Sequence, residues 1–67
     1  MSVAKIIEIS AESPKGFEDA IRVGIEKASK TINHIKGAWV SEQKVKVDGG
    51  KITVYQVILR ITFELED

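Results

Sequence analysis

An α+β fold with the element order β-α-β-β is predicted for this chain of 67 residues, on three observations. Between Phe17 and Ile32 apolar residues recur every three or four positions, the period of an amphipathic helix. On either side of that stretch the period drops to two, the alternation of a strand. A tight-turn signal, Asp48-Gly49-Gly50, then divides the second alternating stretch into the arms of a hairpin.

The first strand is read from Val3 to Ser10, where "VAKIIEIS" mixes β-branched residues with charge. Alternation sends Lys5 and Glu8 to opposite faces. The helix is expected over residues 14 to 32, with Ser13 as its cap, Pro14 at its first position, and Glu18 and Asp19 near the positive end of its dipole. Phe17, Ala20, Ile21, Gly24, Ile25, Ala28 and Ile32 make one apolar stripe, and Arg22, Glu26, Lys27 and Lys30 lie off it. Gly24 costs a helix about 1 kcal/mol against alanine, so a close approach by the sheet is expected there. Asn33 is the expected left-handed terminator before the chain turns at Gly37. The hairpin arms are read from Ala38 to Val47 and from Lys51 to Leu65, with Tyr55, Val57, Leu59, Ile61, Phe63 and Leu65 forming the row that meets the helix.

A single domain of 1–67 is too small to bury much: it hides only about 60% of its unfolded surface. The chain has no cysteine and one histidine, His34, which removes disulfides, thiolate zinc sites and histidine clusters as staples. Oligomerisation is the remedy that remains. Geometry asks for it too, since a helix over residues 14 to 32 is about 28 Å long and a strand from Lys51 to Leu65 about 50 Å. The hairpin outruns the helix, and its second face keeps Val54 and Ile58 around Gln56, so burial against neighbouring subunits is expected. Ten basic and ten acidic residues cancel, which argues against nucleic acid or an anionic membrane as a partner. With no apolar run of the roughly 20 residues a span needs, and no signal-peptide core, a cytoplasmic location is expected.

Counting outward from the Gly49-Gly50 turn pairs Trp39 with Arg60 and Gln43 with Gln56. Trp39, Ser41 and Gln43 are thereby expected on one face with Val54, Gln56, Ile58 and Arg60, away from the helix. Trp39, the single tryptophan, then has two readings. It is either an indole that fills an apolar patch between subunits, or a stacking platform for a flat heteroaromatic ring whose polar edge Gln56 meets with a donor and an acceptor. His34 reads as a residue capping the helix end or lying on the surface, and "VDGGK" as a turn rather than a phosphate loop. Glu64, Glu66 and Asp67 read as a solvated terminus rather than a calcium site. Lys44 and Lys46 read as solubilising residues of a strand edge. No nucleophile or acid–base constellation is present, so no enzymatic activity is expected.

Taken together, an "SP" helix start, "KASKT" near the helix end, "YQV" in the last strand and a terminal "FEL" resemble the dodecin family over essentially the whole chain. The resemblance implies a three-stranded antiparallel sheet wrapped around one helix, assembled as a hollow homo-dodecamer. It also implies a flavin, FMN or riboflavin, stacked between subunits against a tryptophan at the start of the second strand, with a glutamine of the third strand touching the ring. Gln56 matches that glutamine. Aligned from "KASKT", the family's tryptophan position falls on Gly37, and Trp39 lies two residues, about 6.6 Å, further along the strand. By the same resemblance Gly37, Trp39, Gln43, Lys44 and Gln56 are the candidate ligand residues, with Lys44 toward the phosphates of a flavin nucleotide or coenzyme A. "GAWVSEQ" also resembles a branch of the family described as flavin-free or as binding other ligands, calcium included.

Overall fold

The computed structural model describes residues 2–65, so the carboxylates of Glu66 and Asp67 lie outside the described residues. The elements follow the predicted order: β1 (Ala4–Ser13), α1 (Phe17–Ala28), β2 (Ile35–Asp48) and β3 (Lys51–Glu64). They make one antiparallel sheet in the order β1-β3-β2, which puts the strand richest in β-branched and aromatic residues at its centre. Val57, Leu59 and Ile61 of β3 are buried under α1, and Ala20, Gly24 and Ala28 are the helix positions that meet them. Ile7, Ile9, Ala11, Phe17, Ile21, Ile25 and Ile32 surround that core. The predicted stripe is the one used, and the predicted sheet row is used at Val57, Leu59 and Ile61, whereas Leu65 lies past the end of β3 and is exposed.

Gly24 shows why the contact needs small residues. A Cβ there would lie 3.0 Å from the Ala11 Cβ and 3.1 Å from the Leu59 Cδ1, so glycine sets how closely α1 approaches the sheet.

The helix is shorter than predicted, Phe17–Ala28 rather than 14 to 32. Ser13 is not its cap. It is the last residue of β1, 2% exposed, and its hydroxyl donates to Asp19 Oδ2 at 2.6 Å while accepting the Lys15 N–H at 3.0 Å. This serine closes a turn through Pro14, and Gly16 at φ 156° and ψ 172° supplies the reversal, a backbone state essentially reserved for glycine. Glu18 and Asp19 fall in the first turn as expected. The Ser13 hydroxyl and the Arg22 guanidinium both bind Asp19, and they hold its carboxyl below the ordinary 3.8. At the other end Lys30 N–H and Thr31 N–H bond three residues back, which tightens and stops the helix. The left-handed residue is then His34 at φ 64°, not Asn33, and His34 stands six positions beyond Ala28, past the reach of the helix dipole.

The hairpin turn is as predicted: Asp48 pairs with Lys51, and Gly49 and Gly50 have φ of 58° and 80°. Register then departs from simple counting. Ser41 is an extra residue on β2, between the pairs Val40↔Leu59 and Glu42↔Ile58, and Thr53 is an extra residue on β3, between Lys46↔Val54 and Val47↔Ile52. The Thr53 hydroxyl donates to the Lys46 carbonyl at 3.3 Å. The two offsets cancel, so Trp39 still faces Arg60, but the five residues from 42 to 46 are shifted by one.

Helix α1 spans about 18 Å, while the 14-residue strands run about 46 Å. It packs on β1 and β3 and leaves β2 bare on both faces, apart from partly covered Ile35. The chain is accordingly elongated, 52 × 19 × 13 Å, with a radius of gyration of 13.8 Å against about 11 Å for a compact chain of this length. Its 4974 Å² of accessible surface exceeds the roughly 4200 Å² of a compact 7.4 kDa monomer. Val47 and Ile52, at the hairpin tip, are 61% and 50% exposed.

Candidate functional site

The face of the sheet opposite α1 is built in rungs across β1, β3 and β2. Residues directly opposite one another share a face, and every second rung belongs to the outer one. The outer rungs are Ile6–Thr62–Gly37, Glu8–Arg60–Trp39, Ser10–Ile58–Glu42 and Glu12–Gln56–Lys44. Trp39, Gly37, Gln56 and Lys44 are therefore on one surface, and the indole is 47% exposed. Along the strand about 13 Å separates the rung of Trp39 from the rung of Gln56, with Ile58 as an apolar floor between them.

Gln43 is not on that surface. It pairs with Val57, a buried residue of the helix-facing row, because Ser41 and Thr53 shift this segment by one position. Lys44 takes the place opposite Gln56 that counting had given to Gln43. Ser41, expected beside Trp39 on the outer face, is the unpaired residue of the bulge.

Polar contacts fix several of these side chains. Gln56 Nε2 donates to Ser10 Oγ at 2.9 Å, which orients the amide and leaves its carbonyl oxygen to accept from elsewhere. Arg60 Nε donates to Glu8 Oε2 at 3.2 Å, in the same rung as Trp39, and Lys46 Nζ lies 3.2 Å from Glu12 Oε2. Glu8, Ser10 and Glu12 are site neighbours that sequence reasoning did not bring in. Their signal is the polar residue at every second position of β1, legible only once β1 is known to lie beside β3. Lys46 and Lys44 do lie on an edge strand, as the edge-lysine reading requires.

Among the described residues no three His, Cys, Asp or Glu side chains converge as a metal site. No helix of the described residues is long and apolar enough to cross a membrane.

The sequence model of the Dodecin family matches residues 3–66. The chain belongs to the dodecin family. It is 38% identical over 66 residues to the calcium dodecin of Mycobacterium tuberculosis, covering 97% of this chain and 92% of that one. Over 65 residues it is 32% identical to the dodecin of Thermus thermophilus, covering 97% and 94%. A solved structure of the calcium dodecin, called calcium-chelating, superposes with a TM-score of 0.82 at 35% identity over 97% of this chain and 93% of that one. The dodecin of Streptomyces davaonensis superposes with a TM-score of 0.92 at 30% identity, over 98% and 97%. The β-α-β-β topology and three-stranded antiparallel sheet are thus those of dodecins, reached independently from the periodicity of the chain.

The residues present on the outer face of this dodecin fit a flat heteroaromatic ligand. The indole offers half its surface, Ile58 and the side-chain-free Gly37 flank it, and a free amide oxygen and an arginine stand on the same face.

Proposed function

We propose that this dodecin is a non-enzymatic, small-ligand-binding protein that assembles as a hollow homo-dodecamer and holds a flavin, FMN or riboflavin, between its copies. The observation that carries the reading is the bare strand β2, 13 of whose 14 residues are exposed, with Trp39 on the outer face. Surface of that kind is the mark of an obligate partner, and a second copy offers the matching half. Trp39 supplies the stacking face, and Gln56, of the same or a neighbouring copy, supplies the hydrogen bonds to the polar edge of the ring. In this reading Lys44, which pairs with Gln56, supplies the cation for the phosphate of FMN or of coenzyme A. A stacked indole also quenches the excited ring, so the role is storage and protection from light.

Titration of purified protein with riboflavin and with FMN, followed by flavin emission, tests this. Stoichiometric quenching at micromolar protein, weakened by Trp39→Ala and by Gln56→Ala, is the expected result. Unchanged flavin emission would reject the flavin reading.

A second reading follows from the calcium dodecin relative: a dodecin shell that binds calcium instead. Because no metal cluster forms among the described residues of one chain, such a site would have to combine carboxylates of different copies. A rise in melting temperature with added calcium, reversed by chelator, is its signature.

A further inference from the structure

Gln56 sits between two strands of opposite hydrogen-bonding character. On the β1 side its rung partner is Glu12, and the next outer-face residue is Ser10; both side chains can accept a hydrogen bond. On the β2 side its partner is Lys44, which can only donate. The donating and accepting ends of a planar primary amide point apart, so such a setting decides which end faces which strand. Gln56 has taken that orientation. Its Nε2 donates to Ser10 Oγ at 2.9 Å, while the Glu12 carboxylate is held by Lys46 at 3.2 Å. Ile58, one outer rung on, brings no polar side-chain atom to compete. Among the described residues no donor is bound to Gln56 Oε1.

Resting on the reading of Gln56 as the residue that meets the polar edge of a ring, we propose that Ser10 is a positioning residue: it holds the amide with its oxygen turned away from β1, so that the site selects rings whose edge carries a free N–H. Ser10 acts through Gln56 rather than on the ligand. Without the hydroxyl the amide is free to turn over, because its two ends have nearly the same shape, and it then presents its N–H instead. With the hydroxyl in place the oxygen comes first. An imide N–H between two carbonyls, as on the edge of a flavin ring, satisfies that oxygen. The same ring with a methyl group on that nitrogen leaves it unpaired, and a site built to bond a particular N–H discriminates against the analogue that lacks it. Ser10 is exposed on β1, so trimming its hydroxyl leaves the core untouched.

The test is equilibrium titration of the full chain with riboflavin and with riboflavin methylated at the imide nitrogen, followed by flavin emission. Wild-type protein is expected to bind the methylated ring at least about tenfold more weakly, and Ser10→Ala to raise the riboflavin Kd about threefold while narrowing the preference to about threefold. Ser10→Thr, which keeps a hydroxyl, is expected to restore both values. Melting temperature and sedimentation coefficient are expected to stay at the wild-type values in both variants. A wild-type preference below about twofold, or a preference that Ser10→Ala leaves intact, overturns the assignment and leaves the flavin reading standing. Failure of Ser10→Thr to recover the preference, or loss of assembly in Ser10→Ala, also overturns it, because the serine would then act on the fold rather than on the amide. Absence of riboflavin binding by wild-type protein removes the assignment and the flavin reading together.

Discussion

Ser13 and Gly24 show how single positions set this fold. Ser13 joins the end of β1 to the first turn of α1 through Lys15 and Asp19, and its donation lowers the Asp19 carboxyl below 3.8. A carboxyl depressed by folding contributes stability that is fully present above about pH 3.8 and is lost as acid takes the pH down through its folded value. Ser13→Ala is expected to move the Asp19 titration upward, as seen by NMR of its carboxyl, and to cost about 1 kcal/mol in a denaturant melt. At Gly24 two effects oppose. Alanine gains about 1 kcal/mol of helix propensity, while contacts at 3.0 and 3.1 Å bring overpacking of about 1–3 kcal/mol. Ala11 is tied to the backbone of β1 and cannot yield, so overpacking wins and Gly24→Ala lowers the thermal midpoint. Ser13 was legible as a helix-start residue but not as a turn residue, because Ser-Pro serves both, and only Gly16 two positions later decides between them.

Among the elements, the hairpin carries the most information and the largest correction. Its turn, its central strand and the helix-facing row of Val57, Leu59 and Ile61 were legible because alternation and Asp-Gly-Gly are strong local signals. The offsets at Ser41 and Thr53 were not, since both are ordinary strand residues and nothing in their chemistry announces a bulge. Trp39↔Arg60 survived because the two offsets cancel before it, and Gln43 was misplaced because it lies between them. Exchange of the roles is testable: Lys44→Met is expected to weaken FMN more than riboflavin, whereas Gln43→Ala, on the other face, leaves both within about twofold. Equal losses in the two variants, measured by flavin emission, would argue that the 42–46 segment keeps the uninterrupted register. The helix ends were the least legible part. Ile32 continues an apolar-stripe pattern that the backbone has already left at Lys30 and Thr31, and it still packs on the core from outside the helix.

As a whole molecule the chain is a long hairpin with a helix over half of it. The mismatch follows from two rises per residue, about 1.5 Å and 3.3 Å, applied to elements of 12 and 14 residues. It leaves a bare strand, an excess of surface and an exposed tryptophan, and all three are resolved at once if copies cover one another. Val45, on the helix-facing side of β2 and beyond the reach of α1, is a place to weaken that association without touching the core. Val45→Lys is expected to break the assembly into smaller oligomers at protein concentrations where the wild type stays intact, with helix and sheet signals largely retained. Sedimentation velocity at micromolar concentration tests the central claim most directly. A species near twelve times 7.4 kDa, about 89 kDa, is the result expected, and a folded monomer of 7.4 kDa would contradict it.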